Sequence, residues 1–155
     1  MEVIFYGHRK GNFFDKAIRW WTSPLKDKLS GKWKDSFSHV ELSFKQGVMC
    51  SASQYENKVR FAATSRSDAW VRVQIKCTNE EAKRTYKFCL DQFNKPYDWF
   101  GLFGFIVPFR TQEKDKWFCS ELCCEALKVG GILPTYIVSS KISPNGLYKL
   151  VTERL

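Results

Sequence analysis

Ser38-His39-Val40-Glu41-Leu42-Ser43-Phe44 alternates polar and apolar residues, the period-two pattern of a strand with one side in a core. Side chains two apart on a strand share a face. Val40 and Leu42 therefore enter the core, while His39 and Glu41 point together to the opposite side. Further strands are expected at Val3 to Tyr6, ending at Gly7, and at Val48 to Ala52, Lys58 to Ala62 and Val71 to Cys77. The middle of the chain reads as mostly β.

Helices flank this strand region. Asn12 to Trp21 places Phe13, Phe14, Ala17, Ile18 and Trp21 on one helical face, with Asn12 and Asp15 as a cap-like pair and Pro24 as the stop. Leu25 to Asp35 reads as a basic, glycine-containing loop. Thr78 to Asn94 is the clearest helix: Thr78 and Glu81 form a capping box, and Ala82, Tyr86, Cys89, Leu90 and Phe93 form the inward stripe. From Phe118 to Lys128 a third long helix is expected, with Leu122, Ala126 and Leu127 inward and Gly130-Gly131 as its stop. Ser143-Pro144 starts a short terminal helix. The aromatic segment 97–109 reads equally as a broken helix or a packed loop. The sum is an α+β fold, a central antiparallel sheet packed against helices, in a single domain over residues 1–155.

Composition excludes several classes. Hydrophobic residues at 44% and charged residues at 26% are the balance of a folded protein rather than a disordered one. Lysine and arginine number 25 against 16 acidic residues, a net charge of +9. That excess suits an anionic membrane surface or a polyanion, but the basic residues are scattered and carry no nucleic-acid signature, so no specific nucleic-acid partner is expected. Six cysteines behind an N-terminus unlike a secretory leader suggest reduced thiols and a cytoplasmic setting. The longest apolar run, 99–109, is broken by Gly101, Gly104 and Pro108 and is too short to span a bilayer, which takes about 20 residues.

Two segments carry chemistry. In Ser38-His39-Val40-Glu41, a carboxylate beside an imidazole fixes the tautomer and stabilises the cation. In Trp117-Phe118-Cys119-Ser120-Glu121-Leu122, Cys119 sits where a loop becomes a helix, and unpaired N–H groups with the positive end of the dipole favour thiolate over thiol. The same N–H groups can serve an oxyanion. The bland reading is that Cys119, like Cys123 and Cys124 after it, is a small packing residue. The chain has two histidines, and His39 is preferred to His8, which stands in a turn beside Arg9 and Lys10 with no carboxylate two residues away. There is no CxxC pair, HExxH, phosphate loop or GxSxG, so neither a metal site nor a cofactor is expected.

The order of segments, with AIRWWTSP, then FSHVEL, later KPYDWFGLFGF, then WFCSELCCEALKVGG and ISPNGLYKL, resembles the circularly permuted NlpC-type papain-like proteins, the YiiX-like group, in which the histidine strand precedes the nucleophile. The resemblance covers most of the chain. It implies a permuted papain-like fold, Cys119 as nucleophile, His39 as base, Glu41 as the residue orienting it, and amide hydrolysis as the commonest activity. Tyr97, in PYDW, resembles an aromatic position near the family site, and Tyr6 is a further substrate-binding candidate. Glu121 belongs to the matched motif with a structural duty at the helix start.

The expected activity is therefore a cysteine hydrolase cleaving peptide or peptidoglycan-type amide bonds through an acyl-enzyme. Two alternatives stand beside it: an acyltransferase or thioesterase acting on acyl lipids at the same site, and a non-catalytic module holding a membrane or polyanion. A phage- or virus-encoded factor is compatible with each. The sequence leaves the oligomeric state open.

Overall fold

The computed structural model describes residues 1–7, 13–23, 25–32, 36–45, 47–64, 70–99 and 115–153. His8, the cap at Asn12, the stop at Pro24, the side chains of Phe14 and Trp21, and most of the aromatic segment 97–109 lie outside the described residues.

Strands β1 (Glu2–Tyr6), β2 (His39–Phe44), β3 (Val48–Ser53), β4 (Lys58–Ala63) and β5 (Trp70–Gln74) form one sheet in the order β4-β3-β2-β1-β5. Every neighbouring pair is antiparallel. Among the described residues the helices are α1 (Phe13–Thr22), α2 (Leu25–Ser30), α3 (Asn79–Asp91), α4 (Cys119–Gly130) and α5 (Pro144–Glu153), with a 3₁₀ turn at Ser139–Lys141. A mixed α+β fold with a central antiparallel sheet against helices is what the alternation and capping signals implied.

Register sets the two faces. Val3 pairs with Leu42, Phe5 with Val40 and Tyr6 with His39. Val3, Phe5, Val40, Leu42, Cys50, Ala52 and Val59 form a fully covered side. Onto it pack α3, whose Tyr86 meets Phe44 and Phe61 edge-on at 5.0 and 5.6 Å, and α4, whose Leu122, Cys123, Ala126 and Leu127 are buried. Each fully buried leucine here contributes roughly 1.5–3 kcal/mol. From α5, Tyr148 closes an aromatic cluster with Phe5 and Phe37 at 5.2 and 4.9 Å.

Helices α3 and α4 approach very closely. A Cβ placed on Gly130 would lie 2.1 Å from Thr85 Oγ1 and 3.2 Å from the Glu81 carbonyl, so only glycine fits this crossing. The next residue, Gly131, caps α4 in the left-handed region at φ 86°, where a side chain is strained.

Three sequence expectations need correction. The inward stripe of α3 runs through Thr85 and Cys89 to Gln92, while Leu90 and Phe93 are about half exposed; the contact at Gly130 turns the small Thr85 inward and rotates the larger residues out. On α1 the buried residues include Asp15, Ile18 and Arg19, and Phe13 faces solvent. The hydrophobic pattern misleads there because Asp15 is drawn inward by Gln54 and Tyr55, just past the end of β3. The segment after Pro24 also begins as a short helix, α2, rather than a loop; LKDKLS consists of residues tolerant of helix, and none of it is buried.

The expected capping box of α3 is present: the Thr78 N–H donates to Glu81 Oε2 at 2.7 Å and the Glu81 N–H to Thr78 Oγ1 at 3.2 Å. At α5, Ser143 Oγ accepts from the Gly146 N–H at 3.1 Å, the N-cap role its sequence announced.

Candidate functional site

β2 pairs with β3 only from Leu42 to Phe44, against Val48 to Cys50. Toward the N-terminal end of β2 the register pairs stop. The Val40 carbonyl accepts from Ser51 Oγ on β3 at 2.7 Å and from Cys123 Sγ on α4 at 3.7 Å.

His39 and Glu41 lie on the same side of β2, as strand periodicity requires. The carboxyl of Glu41 is buried, which alone would raise its pKa, yet hydrogen bonds and charge from His39 and Arg60 hold it below the ordinary range. It is therefore an acceptor only, and His39 Nε2 donates to its Oε1 at 3.0 Å. The nitrogen left for another partner is Nδ1. Burial disfavours the imidazolium, but the neighbouring Cys119 and Glu41 side chains outweigh it and raise His39 from 6.5 to about 10. His39 and Glu41 are thus joined by a hydrogen bond, and Cys119 lies close enough to His39 to act on its charge.

The neighbouring thiols differ. All six cysteines are free. Burial pushes the Cys123 and Cys124 thiols up, and a hydrogen bond with Cys89, together with burial, does the same for Cys50. Among the described residues none of these has an imidazole acting on it. Cys119 opens α4 after Phe118, which has no side-chain oxygen with which to cap the turn. Glu121 reaches back to accept from the Phe118 N–H at 3.4 Å, and Ser120 Oγ donates to the Ile142 carbonyl. The first turn is held from both sides.

Access is restricted. Cys119 is 0% exposed, and the His39 side chain keeps 17% of its surface in solvent.

Arg60 is a member of the site that sequence reasoning missed. From β4 it crosses over Ser51, its register partner on β3, and donates from Nη2 to Glu41 Oε1 at 2.7 Å, while Nε holds Glu56 at 2.8 Å. Ser51 is small and fully buried, which leaves the span open. Both cations thus converge on one carboxylate oxygen. Among the described residues, Glu41 Oε2 and Arg60 Nη1 find no hydrogen-bond partner. The alternation in Lys58-Val59-Arg60-Phe61 marks Arg60 as facing away from the core, but cannot reveal a partner two strands away.

Tyr97 and Tyr6 border the same region. Tyr97 is buried, with its ring 6.0 Å from Phe118, and is held by a backbone bond from its N–H to the Asn57 carbonyl at 3.1 Å. Burial, then the charges of Cys119, Asp98 and Asp15, raise its phenol well above the ordinary value. Tyr6, opposite His39 in register, is raised by burial and then by Asp15 and Tyr55, against an opposing effect of Arg19. Its ring meets Trp70 edge-on at 5.8 Å. Asp15 accepts from Gln54 Nε2 and Tyr55 Oη, both at 3.3 Å, so α1 is tied to the end of β3 beside the site. Among the described residues no group of three or more histidine, cysteine or acidic side chains is placed to hold a metal ion, and no helix is long and apolar enough to cross a membrane.

No family model matches the chain, and no curated protein is significantly similar to it.

Proposed function

We propose that the protein is a cysteine hydrolase of the permuted NlpC-type papain-like kind, cleaving peptide or peptidoglycan-type amide bonds. The observation that carries this reading is the imidazole hydrogen-bonded to the buried Glu41 carboxylate and shifted by the neighbouring Cys119 side chain. The raised His39 holds its proton as an imidazolium beside the sulfur, and the Cys119 sulfur attacks the substrate carbonyl as the thiolate partner of that cation. The oxyanion is received by N–H groups of the first turn of α4. The imidazolium gives its proton to the leaving amine, leaving a thioester that water hydrolyses with the now neutral His39 as base. Glu41 fixes the tautomer, and Arg60 keeps Glu41 ionised.

The test is turnover of a panel of amide, thioester and acyl-lipid substrates by the native protein, Cys119→Ala and His39→Ala. Burst release of the amine from an amide, with a thioester adduct on Cys119 seen by mass spectrometry, is the expected result. Transfer of the acyl group to an added amine or alcohol in preference to water would make it an acyltransferase at the same site. Turnover that survives Cys119→Ala would defeat both.

A further inference from the structure

Helices α1 and α2 turn a combination of residues outward that a folded core has no use for. On α1, Phe13 and Trp20 are seven residues apart and so lie on one side of the helix; they are 79% and 45% exposed. On α2, Leu25 and Leu29 are one turn apart and 72% and 82% exposed. The two surfaces join where Lys28 Nζ sits 4.5 Å from the centre of the Trp20 ring. Lys16, Lys26 and Lys32 are exposed around them and Lys28 is partly so, against Asp27 as the one acidic residue reaching the surface among the described residues of this stretch. The whole chain carries +9.

We infer that this α1–α2 face binds an anionic lipid bilayer, the leucines and aromatic rings entering the headgroup boundary while the lysines meet the lipid charge. Apolar residues in a basic rim are the pattern of a helix lying in a membrane interface. A soluble polyanion would be served by the lysines and would leave two exposed leucines without a role. The opposite side of α1 carries Asp15 and Ile18 inward, with Asp15 bonded to Gln54 and Tyr55, so the helix is anchored to the sheet while its outer face meets the lipid.

The test is co-sedimentation with phosphatidylcholine vesicles, pure or carrying about a quarter phosphatidylglycerol, so that the surface potential is the variable. The native protein pellets with the anionic vesicles only and is released when salt shortens the screening length to about 3 Å. Each lysine at such a surface is worth roughly fivefold, so Lys26→Gln with Lys32→Gln weakens binding roughly 25-fold. Leu25→Ser with Leu29→Ser weakens it roughly tenfold or more by removing the inserted surface. Since α2 contributes nothing buried, both double variants keep the native thermal unfolding curve. Cys119→Ala binds as the native protein does, which separates this inference from the chemistry at sulfur. Absence of binding to anionic vesicles, equal binding to neutral ones, or undiminished binding by the leucine variant would overturn it; the last would mean a purely electrostatic polyanion site.

Discussion

An imidazole that stays protonated to about pH 10 is a measurable consequence of the Cys119–His39–Glu41 arrangement. Raising His39 from 6.5 to about 10 corresponds to about 5 kcal/mol in favour of the imidazolium, at roughly 1.4 kcal/mol per pH unit. That gain is net of burial, which opposes it. The Glu41 oxygen 3.0 Å from Nε2 supplies part of it; an opposite charge at that range is typically worth 1–3 pH units, so Glu41→Gln should bring His39 down to roughly pH 7–9. Cys119→Ala should lower it as well, because the neighbouring sulfur is the other group that raises it. Titration of the ring nitrogens by NMR reads this directly, since the chain has two histidines and the His39→Gln variant identifies the His39 signals. The sign for stability follows. A folded-state value above the unfolded one gives stability that is complete below about pH 6.5 and lost as pH rises through about 10. The native protein should therefore lose more thermal stability between pH 7 and 10 than His39→Gln does. A His39 that titrates near 6.5 in the native protein, unchanged by Glu41→Gln, would refute the reasoning.

Other expectations rest on separate contacts. Arg60→Met leaves Glu41 buried with one cation instead of two and should cost about 2–4 kcal/mol in urea unfolding, with the His39 titration moving at the same time because Glu41 is then less firmly ionised; an unchanged titration would reduce Arg60 to a structural role. Gly130→Ala drives a methyl into Thr85 Oγ1 and should destabilise by about 1–3 kcal/mol, with Thr85→Ala restoring part of the loss in the double variant. In native protein, iodoacetamide should modify Cys119 in preference to Cys50, Cys123 and Cys124, whose thiols are all pushed up, and a bulky maleimide should react far more slowly because Cys119 is covered. Peptide mapping by mass spectrometry decides it, and labelling of Cys123 first would count against the assignment.

The parts of this architecture that were legible in the sequence are those set by local periodicity. SHVELSF announced both the β2 strand and the shared side of His39 and Glu41, because a strand has period two whatever surrounds it. Thr78-x-x-Glu81 and Ser143-Pro144 announced helix starts through chemistry confined to one turn. What was hidden depends on contacts between distant elements. Phe13, Leu90 and Phe93 read as core residues by spacing alone, but the rotation of a helix about its axis is decided by its tightest contact, which for α3 is Gly130 against Thr85. Arg60 was invisible for a related reason: its meeting with Glu41 requires β4, β3 and β2 to lie side by side and Ser51 to be small enough to pass over.

The convergence of Arg60 and His39 on one oxygen of Glu41 also bears on why a charged group is buried here at all. Removing a carboxylate from water costs several kcal/mol, and a buried ion pair is commonly no more stabilising than apolar residues of the same size. If packing were the only demand on this part of the sheet, valine or leucine at Glu41 would continue the covered surface at least as well. The charge has one further connection, through His39 to Cys119, and it holds an ionised acceptor beside the imidazole. The register pairs of β2 and β3 stop at Leu42 and Cys50, and the Val40 carbonyl accepts from the hydroxyl of Ser51 on β3 and from Cys123 on α4. On the proposed reading the buried carboxylate has one purpose that packing does not supply: it holds an imidazolium beside the cysteine at the start of a helix.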